Sequence, residues 1–273
     1  MRVPPTVFPG PEALGRALAA EITNEIEDAA HRGRPYVLGC PGGRSAHSTY
    51  TALANVVAAR GTDLSHVVIV LMDEYVIRDE ETDGFRRIDP ELPHSCVRFG
   101  QVEIVRRLNA AASSGRGIDP DRFWVPDPAD PEEYDKRIAD VGGIDLFVLA
   151  SGASDGHVAF NPAGTQAGTR THVVRLAEQT RRDNLATFPT FGGLEEVPLY
   201  GVTVGVGSIQ EQSKRVVMVV HGVGKAEAAR RLIAAEHYEP DWPATILSEC
   251  ARPRLFIDKA AATGTTPHAG AGC

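Results

Sequence analysis

The chain has 273 residues, 42% hydrophobic and 23% charged, which is the make-up of a globular protein able to bury a full α/β core. Its 36 acidic side chains outnumber 28 basic ones, and the resulting net charge of -8 excludes a nonspecific grip on nucleic acid, which needs a basic surface. No apolar run approaches the roughly 20 residues of a membrane span, and "MRVPPTVFPGPEALG" lacks the apolar centre of a signal peptide.

In chain order, Leu14, Leu18, Ile22 and Ile26 recur every fourth residue and predict an amphipathic helix over 11–31. "PYVLGC" (35–40) follows as a short apolar strand that breaks at Pro41-Gly42-Gly43, with Ser45 placed to cap the next helix through "STYTALANVVAAR". "HVVIVLMDEYV" (66–76) reads as a second strand, "IDLFVLA" as a third, "LYGVTVGVG" (199–207) as a fourth and "RVVMVVHG" (215–222) as a fifth. The helix "KAEAARRLIAAE" leads to a last strand at 254–258. Near-continuous apolar strands alternating with helices predict a doubly wound α/β fold, a mostly parallel, Rossmann-like sheet with helices on both faces. One such domain over 1–262 is expected, with a disordered small-residue tail over 263–273. The prolines of 126–133 mark a surface connection, and 160–195, rich in Thr, Arg and Gly, is expected to form a mobile cover.

In such sheets ligands bind beyond the carboxyl ends of the strands. Four polar segments stand at those ends. "CPGGRS" offers backbone N–H groups to an anion, with Arg44 as a fixed charge beside Gly42, Gly43 and Ser45; a plain strand-to-helix turn explains it equally well. "MDEY" places Asp73 where a carboxylate is costly unless it has a task; a solvated acidic turn is the simpler alternative. "SDGH" sets Asp155 and His157 about a glycine, an acid and a group that exchanges protons near neutrality. "VHGVGKAEAAR" puts Lys225 in the first turn of a helix, against the dipole preference, which suits an anionic ligand. There is no HExxH, no clustered Cys/His spacing and no G-x-S-x-G elbow, so neither a metal nor a cofactor is expected. Cys40, Cys96, Cys250 and Cys273 are scattered and read as structural thiols in a reducing compartment, the cytoplasm.

Taken together and in this order, "PYVLGCPGG", "VIVLMDEYV", "DLFVLASGASDGHVAFNPAG", "YGVTVGVGSI" and "VHGVGKAEA" resemble the family of glucosamine-6-phosphate deaminase and 6-phosphogluconolactonase over nearly the whole chain. The resemblance implies that Asp73 moves a proton between C2 and C1 of an amino sugar, that Asp155 and His157 serve ring opening, and that Lys225 contacts a sugar phosphate. It implies a small sugar or sugar phosphate as partner, with neither nucleic acid nor membrane, and leaves a homo-oligomer open. The sequence also departs from the deaminases. Pro162 stands where they carry a glutamate that supports the histidine, Ala186 where they carry a phosphate-binding arginine, and "GGRS" is nearer the lactonase form. The expectation is a diverged deaminase-like enzyme, a hydrolase or isomerase acting by enolisation, with a lactonase and a catalytically silent sugar-phosphate sensor as alternatives.

Overall fold

Among the described residues the chain runs through eleven strands. They are β1 (Pro5–Phe8), β2 (Tyr36–Cys40), β3 (Val67–Leu71), β4 (Asp73–Asp79), β5 (Gly84–Arg87) and β6 (Phe123–Trp124), followed by β7 (Leu146–Ala150), β8 (His172–Arg175), β9 (Tyr200–Thr203), β10 (Val216–Val220) and β11 (Pro253–Asp258). This computed structural model describes residues 1–187 and 190–263, with the side chains of all but 186 and 187. The tail expected over 263–273, apart from Thr263, and the side chain of Ala186 lie outside the described residues.

Seven strands form one sheet in the order β1-β11-β10-β7-β2-β3-β6, every adjacent pair parallel. Their runs of β-branched and apolar residues suit strands buried on both faces, and β2, β3 and β10 are buried along their whole length. Because successive side chains alternate between faces, each strand feeds two cores. Leu38, Ile69, Val148 and Val217 pack under the helices Pro11–His31 and His47–Arg60, through Leu14, Leu18, Ile22, Leu53 and Val57. Val37, Val70, Leu149 and Met218 face Ile138, Ile209 and Leu232 of the helices Pro131–Asp140, Val206–Gln212 and Ala226–Ala234. The predicted doubly wound parallel sheet with helices on both faces is the one observed.

Two expected strands belong elsewhere. The run 66–76 divides at Met72: its N–H donates to Cys40 O, extending the parallel ladder, while its carbonyl accepts from Val204 N at 2.7 Å. The chain thereby leaves the large sheet, and Asp73 opens β4 of a second, antiparallel sheet ordered β5-β4-β9-β8. The run 199–207 ends as a strand at Thr203 and turns at Gly205 into the helix Val206–Gln212. β-branched runs look alike in parallel and antiparallel strands, so the sequence pattern does not separate the two sheets. The segment 160–195 supplies β8 and the helix Glu178–Thr187. Cys40, Cys96 and Cys250 are free and buried. Among the described residues no helix is long and apolar enough to cross a membrane.

Candidate active site

Strands β2 and β7 are neighbours, but the chain leaves β2 for β3 on one side and reaches β10 from β7 on the other. Strand order reverses between them, which opens a crevice at their carboxyl ends. A cavity of about 470 Å³ lies there. Gly42, Gly43, Arg44 and Ser45 line it from the loop after β2, Asp73 and Tyr75 from β4, His157 from the turn after β7, and Lys225 from the turn after β10. The four polar segments singled out along the sequence thus meet in one cavity. Asp155 does not line it and reaches it through His157.

The turn after β7 is built around that contact. Asp155 Oδ1 lies 2.7 Å from His157 Nδ1 and also accepts from the His157 N–H at 3.2 Å. Burial pushes the Asp155 carboxyl up, but the hydrogen bond and charge of His157 outweigh it and hold the acid at about 2. Thr180 Oγ1 donates to Asp155 Oδ2 at 3.0 Å. Two glycines make the turn compact. Gly156 has φ +63°, a left-handed conformation, and a Cβ there would stand 2.3 Å from the Trp242 ring. A Cβ on Gly152 would stand 2.2 Å from Asp155 Oδ1 and 2.4 Å from His157 Nδ1. Gly152 therefore makes room for the acid–imidazole pair, and Gly156 lets the turn pack on Trp242.

Asp73 is 6% exposed and faces the cavity from the start of β4. Burial raises its pKa to about 7; the Cys96 thiol hydrogen bond and the charge of His157 pull the other way, and Glu74 adds to the rise. The Cys96 thiol, pushed well up by its own burial and by the two carboxylates, stays protonated and donates. Glu74 is the anchor of this strand end: it accepts from Ser95 Oγ at 2.6 Å, Val97 N at 2.8 Å, Tyr75 N at 2.7 Å and Cys96 N at 3.1 Å. Tyr134 Oη donates to Leu71 O at 2.7 Å and fixes the preceding strand. Tyr75 and Phe160, with ring centroids 5.0 Å apart, add aromatic rings to the cavity wall.

The cationic side differs in detail from expectation. Ser45 is not a helix cap: it lies in the 3₁₀ turn Arg44–Ala46, the helix His47–Arg60 starts after Ala46 without a side-chain cap, and Ser45 O faces His221 Nε2 at 2.9 Å. Lys225 ends the 3₁₀ turn Val223–Lys225, just before its helix, and its Nζ donates to Ser151 O at 2.5 Å. One 3₁₀ turn precedes each helix, so both residues fall ahead of the helix's first turn. Burial lowers the Lys225 pKa, against the charges of Asp183 and Asp155.

Sequence reasoning missed the wall supplied by the helix Glu178–Thr187. Thr180, Asp183 and Asn184 share one face by their i, i+3, i+4 spacing; Thr180 touches Asp155, while Asp183 and Asn184 line the cavity. One oxygen of Asp183, one of Asp155 and a ring nitrogen of His157 all lie within 4.8 Å of one another. Within this group Asp155 Oδ1 and His157 Nδ1 hydrogen-bond to each other.

The family described as glucosamine-6-phosphate isomerases/6-phosphogluconolactonase matches residues 9–256. A glucosamine-6-phosphate deaminase of Shouchella clausii is 34% identical over 260 residues, covering 94% of this chain and 96% of its own. One from an Arthrobacter species is 32% identical over 257 residues, covering 94% and 90%. Among solved structures, a monomeric glucosamine-6-phosphate deaminase superposes with a TM-score of 0.80 at 26% identity, covering 96% of this chain and 99% of its own. A 6-phosphogluconolactonase from Leishmania guyanensis gives 0.70 at 17% identity, covering 98% and 100%, a likeness of fold alone.

Proposed function

The chain belongs to the family of glucosamine-6-phosphate isomerases and 6-phosphogluconolactonases, and from that premise we propose that it acts on an amino sugar phosphate by ring opening and C1–C2 enolisation. The observation that carries this reading is Asp73, a buried carboxylate with its pKa near 7, set in the same cavity as the Asp155–His157 pair. A base that takes a proton from carbon is most useful with a pKa near the working pH. Lactone hydrolysis removes no proton from carbon.

His157, oriented by Asp155, gives a proton to the ring oxygen as the C1 hydroxyl proton passes to solvent water, and the pyranose opens to the aldehyde. Asp73 then takes the C2 proton and the electron pair forms the C1–C2 double bond while solvent water protonates the carbonyl oxygen at C1. Returning the proton from Asp73 to C1, with loss of one N–H proton to solvent, produces a 2-imine. Water adds to the imine and ammonia leaves, so substrate and water become ketose and ammonia; without that hydrolysis the same steps stop at the 2-imine, an isomer of the open-chain amino sugar. Arg44 and Lys225, with the backbone of Gly42 to Ser45, bind the phosphate. The test is a coupled assay of ammonia and ketose on glucosamine, glucosamine 6-phosphate and 6-phosphogluconolactone. Ketose and ammonia in equal amounts from the amino sugar phosphate support the reading. Turnover of the lactone alone, or of none, contradicts it.

A further inference from the structure

We propose that Asp183 is a positioning residue for His157, the second carboxylate of the ring-opening imidazole, supplied by a helix rather than by the catalytic turn; the assignment rests on the enolisation reading above. Pro162, in the turn that follows His157, has no acidic side chain, so the sequence leaves the imidazole with Asp155 alone. The structure brings another acid to it. Asp183 lines the cavity, and its carboxylate closes the group in which one ligand atom from each of Asp155, His157 and Asp183 lies within 4.8 Å of the others.

Three further contacts make this a held arrangement. Thr180, one turn before Asp183, donates to Asp155 Oδ2 at 3.0 Å and lies 3.4 Å from His157 Nδ1, which docks the helix on the acid–imidazole pair. Gln179 Nε2 donates to Asp183 Oδ1 at 2.9 Å and orients the carboxylate. Asn184, beside Asp183 in the cavity wall, carries a buried Nδ2 with no hydrogen-bond partner among the described residues, a donor placed for a ligand oxygen. The helix face is thus turned to the site, and a histidine that carries a proton to the ring oxygen does so with the carboxylates of Asp155 and Asp183 close by. Opposite charges at this range stabilise the protonated imidazole while the proton is in transit. Since ring opening needs that proton and C2 deprotonation by Asp73 does not, Asp183 should matter for the first step and far less for the second.

The experiment measures solvent deuterium exchange at C2 of two probes. Glucosamine 6-phosphate must be opened first; its 4,5-dideoxy analogue cannot close a five- or six-membered ring. D183N is expected to lower kcat on glucosamine 6-phosphate at least 10-fold more than on the analogue, with KM little changed, and D183E is expected to recover much of that loss. An equal loss on both probes, or D183E no better than D183N, overturns the assignment while enolisation stands. Exchange in wild type on neither probe overturns the enolisation reading, and this assignment with it. Activity abolished by a chelator and restored by a divalent cation makes the three side chains metal ligands and also overturns it. Thermal unfolding of D183N and D183E identifies a variant that is merely misfolded, and T180V, which removes the docking hydroxyl, then provides the second comparison with the same differential expected.

Discussion

The role proposed for Asp73 sets chemistry against stability. Its carboxyl has an ordinary value of 3.8 and is raised by burial to about 7 in the folded chain. Below the lower value both states hold the proton and the residue costs nothing. Between the two the folded state holds a proton that the unfolded state has released, so this residue's contribution falls as pH rises through that window, and the full cost is present above about pH 7. Asp73→Asn is never charged. The variant should therefore gain stability relative to wild type as pH rises from about 4 to about 8, measured as the difference in urea midpoints at several pH values. A constant difference across that range would mean that Asp73 titrates as an exposed acid. The same value predicts that kcat/KM rises with pH through about 7, as the base loses its proton.

At the level of elements, the loops at the strand ends carry the site, and their glycines can be separated by consequence. Gly152→Ala drives a methyl group into the space held by Asp155 Oδ1 and His157 Nδ1, whereas Gly156→Ala strains a backbone at φ +63° and meets Trp242. The first should cost activity chiefly, the second stability, with a loss of about 1–2 kcal/mol or more from the left-handed backbone alone. Turnover and urea unfolding on both variants check this; the reverse order of effects would contradict the geometry. The loops after β2 and β10 should act on charge. Arg44→Ala and Lys225→Ala are each expected to weaken the phosphorylated sugar by about 1–3 kcal/mol and its unphosphorylated form by much less, read by calorimetry. Equal losses for both sugars would remove these residues from phosphate recognition. These loops were legible because apolar runs ending in Gly, Asp and His announce strand ends with a task. The helix Glu178–Thr187 was not, since "TRRDN" reads as a solvated face until the fold brings Thr180 to Asp155, 25 residues back in the chain.

For the whole molecule, the parallel sheet was legible because its strands are buried on both faces and spell that out as apolar runs of Val, Ile, Leu and Met. The second sheet was hidden inside the same signal: Met72 hands the chain from one ladder to the other through two backbone hydrogen bonds, which no side-chain pattern reports. That handover is also what places Asp73 in the cavity rather than on the sheet's edge, so the architecture and the chemistry are one arrangement. Family membership accounts for the fold and for the general class of chemistry; the assignment of proton transfer at C2 to Asp73 is the central claim. The measurement that bears on it most directly is deuterium incorporation from solvent at C2 of glucosamine 6-phosphate, followed by NMR in wild type and in Asp73→Asn. Incorporation in wild type that falls about 10²–10⁴-fold in the variant, the range for loss of a general base, while the sugar phosphate still binds, is the predicted result. Incorporation that persists undiminished in Asp73→Asn would contradict it.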